Sequence, residues 1–321
     1  MGYNTGDIHQ GVIAMQKNRS TTFFVLALVL GMAVVLSSCD VLGVRKEQTF
    51  SLQIPAENMG LSELEIDTRN GAISLATWEG NTIKVEGTKY VQGGGDLEKE
   101  IQKIQVQSQQ QGNRLHVFAQ MPNDVGFSFT PISYGAQLNI LVPASFARDL
   151  QLVEANTSNG RLEVNDCNGL LKLETSNGRI ILSRCNGVID AKTSNGSVDL
   201  ENLRGQLNVT TSNGSISLVG CSLSGNMHLL DSSNGSISGD ISLPDTGTVR
   251  VTTSNGRIDL RVPRETRATL SAKTSNGTIS TKNLGITFSQ DTKTSKRGTI
   301  NGGGASLELD TSNANITLSG Q

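Results

Sequence analysis

Cys39, Cys167, Cys185 and Cys221 carry the strongest nucleophiles in this chain, and their spacing divides them between two uses. Cys39 stands apart, directly after Leu36-Ser37-Ser38. Cys167, Cys185 and Cys221 lie 18 and 36 residues apart, so in a repeating fold they share one column, with Leu203 filling the missing place. Such a column packs Cys as a small apolar residue, like Leu. The alternative is a disulfide between Cys167 and Cys185, which an oxidising compartment permits and neighbouring repeats bring within reach. Cleaving a polysaccharide needs paired carboxylates, or a metal with a basic residue, on one face. Glu163, Asp166, Glu174, Asp190 and Asp199 instead fall in different columns as single outward residues. Beyond residue 38 the histidines are His116 and His228, neither near a nucleophile pattern. The sequence thus assigns no catalytic, cofactor or metal residue. The Gly-Gly-x-Gly-x-Asp calcium repeat is missing, since Gly93-Gly94-Gly95-Asp96 is one loop. A formal charge of −2, from 27 basic and 29 acidic side chains, leaves no clustered basic face for nucleic acid.

Positioning Cys39 falls to a leader. Met15-Gln16-Lys17-Asn18-Arg19 is positive, residues 23–36 are apolar except for Gly31, and small residues precede the Cys. These are the three parts of a secretory signal. The apolar run is short of the roughly 20 residues that span a bilayer. The Leu-Ser-Ser-Cys motif resembles the lipobox of bacterial lipoproteins, which implies cleavage after residue 38 and diacylation of Cys39 as the new N-terminus. Residues 1–14 match no part of a leader and make Met15 an alternative start. Residues 39–48 read as a lipidated tether. The implied location is the bacterial cell envelope, with the membrane as first partner.

Positioning the other cysteines falls to a repeat. Thr-Ser-Asn-Gly, or a close variant, recurs with its Asn at Asn159, Asn177, Asn195 and Asn213 in steps of 18, then at Asn234, Asn255 and Asn276 in steps of 21. A fixed period of this size indicates a solenoid. A second turn sits nine residues after the first, as in Asn168-Gly169 and Asn186-Gly187, so each coil holds two short strands. Residues 221–223, 243–245 and 262–264 lengthen one half of the longer coils. Between turns the chain alternates with period two: Leu171, Leu173 and Thr175 count inward, Lys172 and Glu174 outward. Continuing that count puts Asn177 inward, so stacked asparagines form an interior ladder, and the following Gly supplies positive φ at the corner. The rival reading is a meander of Asn-Gly hairpins, which has no need of identical residues one coil apart. The fold class is all-β, a parallel β-helix or β-solenoid of 18–21-residue coils over residues 151–321. Seven coils at the strand spacing make a rod on the order of 34 Å.

Residues 49–150 read as an irregular β cap over the exposed first coil. It holds an early copy at Thr68-Arg69-Asn70-Gly71, strands around residues 82–87, 114–118 and 136–142, and a short helix from Asp96 to Ile104. Thr311-Ser312-Asn313-Ala314 is a last copy with Ala for Gly, and Lys296-Arg297-Gly298 a degenerate one.

The early Thr-Arg-Asn-Gly-Ala-Ile-Ser-Leu and the run of Thr-Ser-Asn-Gly-(Arg/Ser)-Ile copies resemble the bacterial DUF4097 group of adhesin-like proteins, related to auto-transporter-adhesin heads. The resemblance covers roughly residues 50–320. It implies a parallel β-helix-like fold and an envelope location, and it supplies no catalytic residues. The expected function is non-enzymatic: an adhesin-like or structural module whose outward columns (Ser158, Ser176, Ser194, Ser212, Arg161, Arg179) meet polysaccharide, peptidoglycan or a protein. The alternatives are an envelope sensor or assembly partner, and, with less support, a β-helical polysaccharide-active enzyme.

Overall fold

Strands that bury one face can stack without limit when the buried pattern repeats, and this chain folds on that principle. The computed structural model describes residues 44–56, 60–122 and 132–321. Cys39, the leader and residues 39–43 of the tether lie outside them. Within them the fold is all-β, one large, open, mostly parallel sheet. Strand Asn168–Thr175 pairs in parallel with Leu152–Thr157 before it and Asn186–Thr193 after it, with Leu171 opposite Val153 and Ile189. The shorter strands Leu162–Asn165, Ile180–Ser183 and Val198–Glu201 form a second file at the same 18-residue step. From Met227 the step becomes 21, so Val249 lies opposite His228 and Ile258 opposite Ile237. From Leu152 to Val262 the pairing is therefore parallel and one repeat apart, which a hairpin meander does not produce.

The inward positions form aliphatic columns. Leu171, Ile189, Leu207 and Val249 are sealed from water in one file, and Ile180, Val198, Ile216, Ile237 and Ile258 in the other. Each such side chain contributes about 1.5–3 kcal/mol relative to exposure. Cys167, Cys185, Leu203 and Cys221 occupy one buried column, and the three cysteines are free thiols, with no bridge between Cys167 and Cys185. Burial holds the Cys167 thiol far above its ordinary range and pushes Cys185 up to about 11, so both stay protonated and inert.

His228 breaks the aliphatic pattern. It is fully buried between Leu207 and Val249, where the change of step opens the ladder. The Leu207 amide donates to its Nδ1 at 3.3 Å, while Nε2 has no partner. Burial pushes its pKa below 6.5, opposed by a contact with the Gly225 backbone. Stability owed to the neutral ring is therefore whole above pH 6.5 and drains away as pH falls toward the depressed folded value. His228→Leu should lose that acid sensitivity. The gap in melting temperature between variant and wild type should grow in the variant's favour from pH 7 to pH 5; a gap independent of pH would contradict it.

The early copy is the first layer of the stack. Glu63–Asp67 pairs in parallel with Leu152–Thr157, and Ile73–Trp78 with Leu162–Asn165. Behind them Arg114–Gln120 and Ser133–Pro143 add one more parallel layer. The antiparallel strands Val44–Pro55, Thr82–Gly93 and Gln105–Gln111 then cover that layer. The helix is shorter than expected, Leu97–Ile101, with the Asp96 carboxylate accepting from the Lys99 amide. The tether also ends early: Val44 to Gln48 are strand, because Thr82–Gly93 runs far enough to pair with them and the Arg45 guanidinium sits 4.1 Å over the Tyr90 ring.

The other end departs from sequence order. The strands of the last copy, Ala305–Thr311 and Ile316–Gly320, do not follow Ala268–Thr274 and Ile279–Lys282 outward. They lie between those strands and Thr248–Thr253 and Ile258–Val262, parallel to both neighbours. Lys296-Arg297-Gly298 is no repeat copy: Ser295–Ile300 forms an antiparallel hairpin with Ile286–Asp291 and closes the outer edge of Ala268–Thr274. Antiparallel pairing suits that position because it ends the stack instead of extending it.

Candidate functional site

Each repeat turns at Thr-Ser-Asn-Gly, and the turn breaks the period-two count. Thr175 is the last inward residue; Ser176 and Asn177 both face solvent, and Gly178 is buried again. The interior ladder is therefore made by threonine. Thr175 Oγ1 donates to the Gly160 carbonyl of the preceding repeat at 3.1 Å and accepts from the Gly178 amide of its own turn at 3.1 Å. Thr193, Thr211, Ser232 and Thr253 make the same pair of bonds. One hydroxyl thus satisfies a donor and an acceptor that the corner would otherwise bury unpaired. A hydroxyl at that position in every copy was a readable signal of this role.

The glycine that follows has no positive φ, contrary to expectation. It is required by close approach: a Cβ on Gly178 would lie 1.7 Å from the Gly160 carbonyl oxygen, and the same holds from Gly160 to Gly256. Left-handed residues occupy the opposite corner, at Asp166, Arg184 and Asn202 and at Gly169, Gly187 and Gly205.

The asparagines are outside, not inside. Asn159, Asn177, Asn195, Asn213, Asn234, Asn255 and Asn276 are exposed, because the tight turn swings two consecutive side chains away from the core. They still form a continuous file. Asn177 Nδ2 donates to Asn159 Oδ1 at 2.6 Å, and Asn195, Asn213, Asn234 and Asn255 each donate to the preceding Asn at 2.7 Å. Asn159 reaches Asn70 in the cap. At the far end Asn276 donates to Asn313 and Asn313 to Asn255, so the last copy supplies the member between Asn255 and Asn276. Within this file an amide spends one N–H and one carbonyl lone pair, leaving the second of each directed to solvent. Exposed Ser158, Ser176, Ser194 and Ser212 run beside it. The corner therefore presents rigidly spaced donors and acceptors, one set per strand spacing. Asn195→Ala should cost about 1 kcal/mol, as for one exchanged hydrogen-bond set, read from the denaturant midpoint.

Of the five outward carboxylates expected from the sequence, Glu174 is exposed on its strand and the other four are in ion pairs. Asp166 takes a two-pronged contact from Arg184 at 2.7 and 2.8 Å, Asp199 pairs with Arg179, and Asp190 pairs with Lys192 and accepts from Asn208. Glu163 lies 3.7 Å from Arg161. In the cap, Glu65, Asp67 and His116 bring potential ligand atoms within 4.8 Å of one another. Arg114 already holds Glu65 at 2.9 Å, and Asp67 accepts from His116 and Asn156 at 2.6 and 3.0 Å. The hydrogen bond to Asp67 raises the His116 pKa against the effect of burial. Burial pushes Asp67 up, and its bonds from His116 and Asn156 outweigh that and hold it low. This is a self-neutralised surface cluster.

A family model described as Toastrack DUF4097 matches residues 9–245 and 98–319. A solved structure of a "putative cell adhesion protein" from Clostridium sporogenes ATCC 15579 is 13% identical over 86% of this chain and 100% of that chain. Its TM-score is 0.24, too low to compare sites. No curated protein matches.

Proposed function

Because the chain belongs to the Toastrack DUF4097 family, we propose that it is a non-catalytic, adhesin-like module of the bacterial envelope that binds a repetitive polymer along its asparagine corner. The observation that carries this reading is the unbroken exposed file from Asn159 to Asn276, with each amide fixed by its neighbours and half of its hydrogen-bonding capacity unspent. An array of amides and hydroxyls on a rigid backbone suits sugar hydroxyls and N-acetyl groups, since little side-chain freedom remains to be lost on binding. In this reading the repeats form a thin, two-sided solenoid of 18–21-residue coils. Acylated Cys39 holds it to the membrane far more firmly than a single acyl chain would. In this reading Glu163, Asp166, Asp190 and Asp199, tied to arginines and a lysine, serve the stack and not acid–base chemistry.

The test is retention of the protein on insoluble peptidoglycan and on immobilised envelope polysaccharides, compared with an Asn177→Ala, Asn195→Ala, Asn213→Ala triple variant. The expected result is retention by wild type and loss of at least tenfold in the variant, with an unchanged circular dichroism spectrum. Absence of retention on every polymer, or equal retention by the variant, would overturn the reading. Anchoring is tested separately: Cys39→Ser should abolish incorporation of a labelled fatty acid and release the protein from membranes.

A further inference from the structure

The repeats holding Asn255 and Asn276 are related by the same 21-residue step that relates Asn234 to Asn255, so sequence alone stacks them directly. In that arrangement Leu270 would cover Val249, Ala272 would cover Val251, and Thr274 would cover Thr253. In the structure they stand apart, and the last copy fills the slot between them: Leu307, Leu309 and Thr311 lie between Val249, Val251, Thr253 on one side and Leu270, Ala272, Thr274 on the other. Ile316 and Leu318 do the same in the second file. The slot is defined in both files. It accepts two parallel strands joined by a Thr-Ser-Asn corner, with a hydroxyl to reach the Gly256 carbonyl and an amide to bridge Asn255 and Asn276.

The path into the slot is a tight return. After the hairpin strand Ser295–Ile300, Asn301, Gly302 and Gly303 are three consecutive left-handed residues, with φ of 48°, 86° and 90°. Asn301 Nδ2 donates to the carbonyls of Arg264 and Thr266 at 2.8 and 2.9 Å. Gly302 has open space where a side chain would be. Gly303 and Gly304 border a groove of about 540 Å³ with residues 242–245, Pro263 and residues 265–267. A short, tight hinge that folds a segment back into its own molecule favours handing that segment to a neighbour, where the hinge runs extended.

We propose that Ala305–Gly320 is an exchangeable layer whose second home is the same slot in another copy of this chain. The occupant is a second copy because the slot reads the spacing of this segment in two files at once, and an identical segment restores every contact. Exchange is reciprocal, so it closes as a two-fold dimer. The inference stands apart from the polymer-binding reading.

The experiment uses two full-length populations, one carrying Arg250→Cys and one Glu308→Cys, with different affinity tags. Positions 250 and 308 face each other across the slot, with Arg250 Nε 2.9 Å from a Glu308 carboxylate oxygen. The populations are mixed, held below the melting temperature, then oxidised. With each last copy in its own molecule, the exposed thiols introduced at position 250 of one chain and position 308 of the other meet only by chance collision, and the same mixture oxidised at once measures that yield. With Cys39→Ser in both populations, exchange predicts a disulfide-linked species carrying both tags, well above the yield of the same mixture oxidised at once without holding. Gly303→Ala, which strains the return but not the extended path, should raise its yield several-fold. No mixed species above background, with either hinge, would overturn the proposal. Circular dichroism of both variants confirms that the stack is intact.

Discussion

Gly196→Val is expected to break the stack at its middle, lowering stability by about 3 kcal/mol or more. A Cβ at this position would lie 1.8 Å from the Gly178 carbonyl oxygen and 2.4 Å from its carbon. Both are backbone atoms of the layer below, so no side chain can rotate away. Relief requires the two corners to separate, which stretches the neighbouring Thr193 and Asn195 bonds. The chain contains its own partial control. Ala314 stands where the other copies have Gly, and there Thr311 keeps its bond to the Gly256 carbonyl at 2.9 Å but makes no bond to the amide of its own turn. Gly196→Ala should thus cost less than Gly196→Val and still be measurable as a lower denaturant midpoint. Equal stability of all three proteins would show that the corners are not in contact.

Thr193→Val is expected to cost about 2–4 kcal/mol although it changes shape very little. The Thr193 hydroxyl is buried, donates to the Gly178 carbonyl at 3.1 Å and accepts from the Gly196 amide at 3.1 Å. Valine leaves one acceptor and one donor unpaired away from water, and each such group costs about 1–3 kcal/mol. Thr193→Ser should recover most of the loss, since Ser232 performs the same task in its own repeat at 3.0 and 2.9 Å. A serine variant as unstable as the valine variant would mean that packing of the methyl group, not the hydroxyl, holds the corner.

What could be read in advance divides along a physical line. Columns separated by a whole repeat were legible, because side chains at identical positions of parallel strands sit over one another; Cys167, Cys185, Leu203 and Cys221 follow this rule. The direction of the corner side chains was not legible by counting. Alternation holds only while the backbone is extended, and the turn after Thr175 ends it, so Asn177 is exposed while the hydroxyl two residues earlier is inside. The glycine was visible but its cause was not: positive φ and close approach demand the same residue, and only coordinates tell them apart. The order of the last layers was hidden for a deeper reason. Copies similar enough to stack on any neighbour carry no information about which neighbour they choose. Asn276 stacks above Asn313 and Asn313 above Asn255, while the hairpin of residues 286–300 covers the outer edge of Ala268–Thr274.

The interposed last copy also bears on how the protein reaches its final form. Residues 248–282 leave the ribosome before residues 305–320, with nothing yet to hold their two halves apart. Growth by simple accretion from one end would seal them together, so completion requires them to part again or to wait. Shortened nascent chains ending near residue 300 should therefore show different protease protection over residues 248–282 from the finished molecule. Identical protection would mean that the gap is held open from the start.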